Sequence, residues 1–439
     1  MLHFLFSSTP LIFFVQSFWR DEAFSYLLAK KNIFQILSLT AKDFNPPLYY
    51  LLLHFWMKFF GSSEIALRSL SLIFFWATIY VIFLFLTKIL KVKSSFFTLC
   101  YLLFAILNPL LLYYAFEARM YTMFAFFTTL SFYSLYKKKQ KLFFLSTLLS
   151  LYTHYFTILA LFTQLILIAY LHHDRGLATK KKLLKSLIFS FLAFLPWLIF
   201  VFFEKSGLWG AFWLEKMNLR FFVSFLAVVY SGYEYNFKFF DKFLLKTSLF
   251  FVFLIILGLL KTHHEKIVQK KLFYFLFVWG VMVPITVGGI SFLKPIFLPR
   301  YLIFSTIGFL LLVILIVERL PTFFRIIILI TVFIITINYH QLQLKHRKKA
   351  DLRKIIKEIK YLSKKDDVLY VTDELDFHTA QYYFDENRVY IYGKTHEEIP
   401  NYVGKILIPR EKIINKLPLY PKKAFLLTSD SHYDIISAF

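Results

Sequence analysis

The sequence predicts an α-helical polytopic membrane protein that carries a small α/β domain at its carboxyl end. Three observations support this. Of 439 residues, 59% are hydrophobic, and the mean hydropathy is +0.62. The apolar residues arrive in runs of roughly 17 to 22, the length a helix needs to cross the hydrocarbon core of a bilayer. Beyond about residue 345 the composition turns charged and mixed. Only 12 Gly and 13 Pro interrupt the chain, and the runs lack the period-two alternation of an outer-membrane barrel. Backbone polar groups inside lipid are therefore satisfied within helices.

The first apolar run, residues 2–18, has neither a basic leader nor a small-residue cleavage site before Trp19-Arg20-Asp21 and reads as a retained helix. Further spans are expected at 65–90, 95–114, 120–136, 142–153, 155–171, 183–203, 243–260, 272–290, 298–317 and 323–338, about eleven in all. Residues 47–60 are apolar but, at about fourteen residues, short for a span and suit an interfacial helix. With that helix lying on the surface, the basic clusters fall on one face: Lys88, Lys91 and Lys93; residues 137–141; Arg175 with Lys180, Lys181 and Lys182; and residues 266–271. The positive-inside rule makes that face cytoplasmic. It places the amino terminus in the cytoplasm, the chain in the inner membrane as a multi-pass protein, and the carboxyl-terminal domain outside. Lys345, Arg347, Lys348 and Lys349 run against the rule. Residues 1–344 form the expected membrane domain and 345–439 the soluble one, with an amphipathic helix at 351–362 and strands at 368–372, 389–392, 405–409 and 424–428.

The net charge of +25 raises nucleic-acid binding as a function, but the basic residues sit in short clusters between apolar runs, with no continuous basic face or reading motif. That partner class is excluded. The single cysteine, Cys100, lies in an apolar run and forms no internal disulfide.

The opposite face collects the polar motifs. Arg20-Asp21-Glu22 places two carboxylates at the end of the first apolar run, next to a surface where burial tunes a pKa. Asp43-Phe44-Asn45-Pro46-Pro47 adds a third acid at a diproline corner, followed by Tyr49 and Tyr50. Glu117-Ala118-Arg119-Met120-Tyr121, preceded by Tyr113 and Tyr114, offers a guanidinium suited to phosphate. His154 splits what is otherwise one long apolar run. Lys294 and Arg300-Tyr301 bring two more cations before a later span, and the loop 204–220 lies on the same face. Each motif alone also has an ordinary reading, as a solvated acid, a turn, an ion pair or an interfacial anchor. No cluster has the His, Cys and carboxylate spacing of a structural metal site, so no cofactor is assigned, although the acids are compatible with a divalent cation. No phosphate-binding Gly-rich loop occurs.

Taken in order, Trp19-Arg20-Asp21-Glu22-Ala23, Asn45-Pro46-Pro47-Leu48-Tyr49-Tyr50, Phe60-Gly61-Ser62-Ser63-Glu64 with Ala66-Leu67-Arg68, Glu117-Ala118-Arg119-Met120-Tyr121, Tyr152-Thr153-His154-Tyr155 and Pro299-Arg300-Tyr301 resemble the bacterial family-39-like membrane glycosyltransferases. These are related to protein O-mannosyltransferases and the aminoarabinose transferases of lipid A. The resemblance covers about residues 15–305. It implies a GT-C fold with an acidic first outer loop and juxtamembrane helices, and transfer of a sugar from a polyprenyl-phosphate donor to a lipid, glycan or protein acceptor. On that reading Asp21 is the general base, with Glu22 and Asp43 as rivals. Arg119, Arg300, Lys294 and His154 hold the donor phosphate, Glu117 orients Arg119, and Tyr49, Tyr50, Tyr121 and Tyr301 line the substrate path. The competing reading is a polytopic transporter or lipid-glycan flippase, which is expected to carry charges near the bilayer midplane; here they concentrate at helix ends.

Overall fold

In the computed structural model the chain is a helical bundle with a five-stranded α/β unit packed on one end. The structure describes residues 8–171, 177–204, 214, 216–234 and 241–438. The beginning of the first apolar run, Arg175 and most of the 204–220 loop lie outside those residues.

After a single helical turn at Ile12–Val15 come three short helices, α1 (Arg20–Ala29), α2 (Ile33–Ala41) and α3 (Leu48–Phe60). The bundle continues with α4 (Glu64–Phe85), α5 (Ser95–Ile106), α6 (Pro109–Ala115), α7 (Tyr121–Tyr136), α8 (Gln140–Leu151), α9 (Thr157–Leu171) and α10 (Leu177–Phe203). It is completed by α11 (Phe225–Ser231), α12 (Asp241–His263), α13 (Ile267–Phe277), α14 (Val283–Ser291), α15 (Ile303–Glu318) and α16 (Thr322–His346). The terminal unit holds α17 (Leu352–Leu362), β1 (Val368–Val371), α18 (Glu374–Tyr383), β2 (Val389–Tyr392), β3 (Ile413–Ile414), β4 (Ala424–Leu427) and β5 (Tyr433–Ile436). The chain is a multi-pass membrane protein: Glu64–Leu90, Leu177–Phe203, Phe243–His263, Ile267–Ser291, Pro299–Glu318 and Thr322–His346 are each long and apolar enough to cross.

Among the described residues six single helices reach that length, against about eleven spans expected. The run 95–114 is a pair, α5 and α6, bent by 63°. Asn108 causes the break: its side chain caps α6 by accepting the Leu111 N–H at 3.0 Å, and Pro109 follows at the first helical position. The segments expected at 120–136, 142–153 and 155–171 are α7, α8 and α9, of 16, 12 and 15 residues. At about 1.5 Å per residue each is shorter than a roughly 30 Å hydrocarbon core. The first run is not a continuous helix in its described part. The buried Arg68 draws the carbonyls of Phe14, Gln16 and Ser17 to its guanidinium at 3.0, 2.7 and 3.3 Å, and those carbonyls are thereby taken out of helical bonding.

The central helix α15 is buried along nearly its whole length. It meets the wide turn Val278–Met282 at Gly280 and Gly308, where a Cβ on Gly280 would lie 2.2 Å from the backbone nitrogen of Phe309. Such close backbone approach is the use membrane helices make of small residues. Trp279 beside it stacks on Phe132 with ring centroids 4.2 Å apart. Gly280→Ala is therefore expected to lower the thermal midpoint in detergent, by an overpacking cost of about 1–3 kcal/mol. An unchanged midpoint would show that the two helices can slide apart freely.

The sheet runs β3-β2-β1-β4-β5, parallel except for the β4–β5 pair. The strand expected at 405–409 is instead a 3-10 turn, Lys405–Leu407, because Gly404 at φ 82 reverses the chain and Pro409 has no N–H to give to a ladder. Its place in the sheet is taken by β3. Leu352, Ile356 and Ile359 of α17 pack with Leu369, Val371, Val389 and Ile391 in a core separate from that of the bundle. One side of α18 faces α1, where the Tyr383 hydroxyl accepts the Phe18 N–H at 2.8 Å and donates to Glu64 at 2.9 Å.

Candidate active site

Four segments that are remote in sequence converge beneath the terminal unit. The first is the opening turn of α1, which contains Asp21 and Glu22. Carboxylates are favoured there by the positive end of the helix dipole. Neighbouring residues on a helix point about 100° apart, and this separates the two acids. Glu22 turns inward and is fully buried. Its carboxylate accepts Nε and Nη2 of Arg68 at 2.7 and 2.8 Å, the Ala118 N–H at 3.0 Å and Lys349 Nζ at 2.9 Å. Asp21 instead lines a cavity of about 160 Å³ shared with Arg20, Asp43, Asn45, Arg119, Tyr121, His154, Arg300 and Tyr301. Burial alone would raise its pKa. The guanidinium of Arg20 at 3.1 Å and the charges of Arg119 and Arg300 outweigh burial and hold it well below the usual carboxylate range.

The second segment is the diproline corner. The Leu48 N–H donates to the Tyr152 carbonyl at 3.1 Å, which ties the corner to the turn bearing His154. Asp43 is only 6% exposed. Burial pushes its carboxyl up to about 6, and the Phe44 N–H and the Arg119 charge offset this only in part.

The third is the turn before α7. Arg119 Nη1 reaches the Asp21 carbonyl at 3.3 Å, Ser25 Oγ at 3.3 Å and Tyr50 Oη at 3.4 Å, all uncharged acceptors at long range. Its Nε is buried with no hydrogen-bond partner, and among the described residues it forms no ion pair. The fourth is Pro299–Leu302, which brings Arg300 to within 3.8 Å of Glu234. Glu234 also receives Arg347 at 3.3 Å and the Tyr114 hydroxyl at 2.8 Å, so one carboxylate anchors two guanidinium groups.

His154 closes the cavity. Its ring stacks on Phe124 at 4.8 Å and 17°, and Nδ1 accepts the Phe156 N–H at 3.1 Å. Burial, with Arg119 and Arg300 nearby, pushes its pKa down to about 3, so the ring is neutral at physiological pH. A neutral ring that accepts at Nδ1 carries its proton on Nε2. That atom is buried and has no partner.

Asp21, Asp43, Arg119, Arg300, His154, Tyr121 and Tyr301 are therefore brought together, and the remaining candidates are not. Glu22 is removed from the cavity by its own ion pairs. Lys294 is solvent-exposed and absent from the cavity wall. Glu117 does not orient the side chain of Arg119. It is buried with both carboxylate oxygens lacking hydrogen bonds, 3.8 Å from Lys349, and burial and the Glu22 charge push it up to about 7. Tyr49 pairs with Ser71 Oγ at 3.3 Å behind the wall, and Tyr50 reaches the site only through Arg119. Among the described residues, no group of three or more His, Cys, Asp or Glu side chains is placed to hold a metal ion.

Sequence reasoning missed Arg20, Arg68, Glu234, Arg347 and Lys349, together with Tyr402, Val403 and Gly404 of the terminal unit, which also line the cavity. Arg20 lies 5.7 Å over the Tyr402 ring, and a Cβ on Gly404 would meet the Phe24 ring at 2.5 Å. One signal for Arg347 and Lys349 was present in the sequence: the basic run that broke the positive-inside pattern. These two cations follow the last span because buried acids await them.

No family model matches the sequence, and no curated protein is similar to it in sequence. Solved structures do match. The structure of ArnT from Cupriavidus metallidurans in the apo state superposes with a TM-score of 0.63 at 12% identity, over 95% of this chain and 91% of that one. The structure of the same protein bound to undecaprenyl phosphate gives 0.64 at 12% identity, over 98% and 93%. The chain has a GT-C fold. Within that fold, the convergent cavity lies where α1, the α7 turn and the start of the α15 span meet the terminal unit. At 12% identity the likeness concerns backbone architecture, so the side-chain geometry must carry the chemistry.

Proposed function

We propose that this protein is an inverting membrane glycosyltransferase that moves a sugar from a polyprenyl-phosphate donor to an acceptor hydroxyl on the extracytoplasmic face of the inner membrane. The supporting observation is the meeting of two carboxylates, Asp21 and Asp43, and three guanidinium groups, Arg20, Arg119 and Arg300, in one buried cavity at a helix-bundle end, within a fold that in ArnT is seen bound to undecaprenyl phosphate. Residues 1–344 supply most of the site, and 345–439 form the outer cover, with the amino terminus cytoplasmic.

The donor phosphate lies between Arg119 and Arg300, where bidentate guanidinium–phosphate bonds are available. Binding there draws both cations from Asp21 and raises its basicity when the donor is in place. The acceptor oxygen forms a bond to the anomeric carbon as the bond from that carbon to the phosphate oxygen breaks, and Asp21 takes the hydroxyl proton. A single in-line displacement inverts the configuration. The polyprenyl phosphate leaves with its negative charge held by the same guanidinium groups. Asp43 accepts a hydrogen bond from the acceptor, and His154 donates one through Nε2 without adding charge.

Purified protein in sealed proteoliposomes, given radiolabelled polyprenyl-phosphate sugars and candidate lipid, glycan and peptide acceptors, is expected to consume donor with inversion at the transferred carbon. Donor that crosses the bilayer intact would favour a flippase and overturn the transferase. Asp43 accepts far more strongly as the carboxylate than as the neutral acid, so the initial rate should fall as pH drops through about 6. In Asp43→Asn that acid limb should disappear, along with about ten- to a hundredfold of the rate, a loss of the size seen when one positioned group is removed. An identical limb in the variant would assign it to another group.

A further inference from the structure

We propose that the groove between α8 and α10 is a binding site for an anionic phospholipid, separate from the active-site cavity. The groove has a volume of about 760 Å³ and is lined by Gln140, Lys141, Phe144, Ser186, Phe189, Leu192 and Ala193. Its two ends differ chemically. Gln140, Lys141 and Ser186 form a polar head, and Phe144, Phe189, Leu192 and Ala193 form an apolar trough. Residues 182, 186, 189 and 193 follow the i, i+4, i+7, i+11 spacing of one helix face, so Lys182 stands a turn beyond Ser186 at the polar end.

The charge around that head is uncompensated. Lys137, Lys138 and Lys139 precede α8, Lys141 lies in its first turn and Lys180, Lys181, Lys182 and Lys185 lie in the first turns of α10, and among the described residues none of them forms an ion pair. No Asp or Glu lies among the described residues of α7 to α10. Membrane-bound lysines beside an apolar trough match a phosphate head joined to acyl chains, and basic pockets between transmembrane helices recognise anionic head groups. A nucleic acid would have no use for the trough, and a zwitterionic lipid would leave the lysines unneutralised. The lysine-rich end of the groove is remote from the cavity: α7 begins at Tyr121 in the cavity wall and ends one residue before Lys137, about 24 Å away at 1.5 Å per residue over its length.

The test is native mass spectrometry of the full chain in detergent with equimolar phosphatidylglycerol and phosphatidylcholine. Wild type should retain phosphatidylglycerol with about tenfold preference, of the order expected for one to two lysines near a lipid phosphate. Lys141→Gln/Lys182→Gln should bring the two lipids to within about twofold. Lys137→Gln/Lys138→Gln, the same charge change at residues that do not line the groove, should keep the preference. Equal retention of both lipids by wild type would overturn the site. So would full preference in the Lys141/Lys182 variant, or a dimer that forms in place of lipid adducts. Because the readout is lipid retention, it stands or falls independently of the transferase reading.

Discussion

Asp21→Asn is expected to lower donor turnover about a thousandfold, within the range for loss of a positioned general base, and to leave the thermal midpoint close to wild type. Asn has almost the same shape and still accepts from Arg20, but it cannot take a proton. The KM for donor should change little or fall, because Arg119 and Arg300 lose a competing anion and are freer to bind phosphate. Glu22→Gln, one residue away, should behave in the opposite sense, with a clear loss of stability and no specific loss of chemistry in the protein that survives. Turnover in Asp21→Asn within tenfold of wild type would remove the assignment.

The second large effect concerns Arg68. This guanidinium is fully buried, accepted in two bonds by Glu22, and holds three backbone carbonyls of the segment entering α1. Removing one partner of a buried ion pair typically costs about 3–5 kcal/mol, because the other charge stays behind without water. Against a total stability of about 5–15 kcal/mol, that is a large fraction. Arg68→Ala should therefore be recovered in low yield or melt far below wild type. Arg68→Met combined with Glu22→Leu should recover only part of the loss, since it removes both charges of that pair but leaves Lys349 with Glu117 at 3.8 Å and three backbone carbonyls without their donor. If Arg68→Ala melts like wild type, Lys349 and the Ala118 N–H must be enough to satisfy Glu22.

These two predictions show how unevenly the site could be read from the chain. The acid-bearing motif after the first apolar run, the acid at the diproline corner, the arginine before α7 and the Arg-Tyr pair before α15 were each visible as polar residues at the ends of apolar runs. Helix-end position follows from local composition, so they could be found. Which acid faces the substrate could not be found in this way. Asp21 and Glu22 have the same class of side chain at adjacent positions, and their roles depend on partners 46, 96 and 327 residues away. Lys294 looked equivalent to Arg300, but only the latter begins a buried turn aimed at Glu234. The span count failed for a related reason: length along an apolar run does not reveal where an asparagine cap, a histidine turn or a buried guanidinium will interrupt it.

What the sequence determined by itself was the solvent. Runs of apolar residues without alternation can satisfy their backbone in lipid only as helices, so the helical class and the small terminal α/β unit follow from composition and order alone. Tertiary structure decided which charges meet. Burial in a low-dielectric interior makes an unpaired charge far more costly than a misplaced apolar residue, so distant ions are packed into compensating sets, and no local pattern records that pairing. The basic run after the last span shows both sides of this: its sequence breaks a topology rule, and its structure places Arg347 against Glu234 and Lys349 against Glu22.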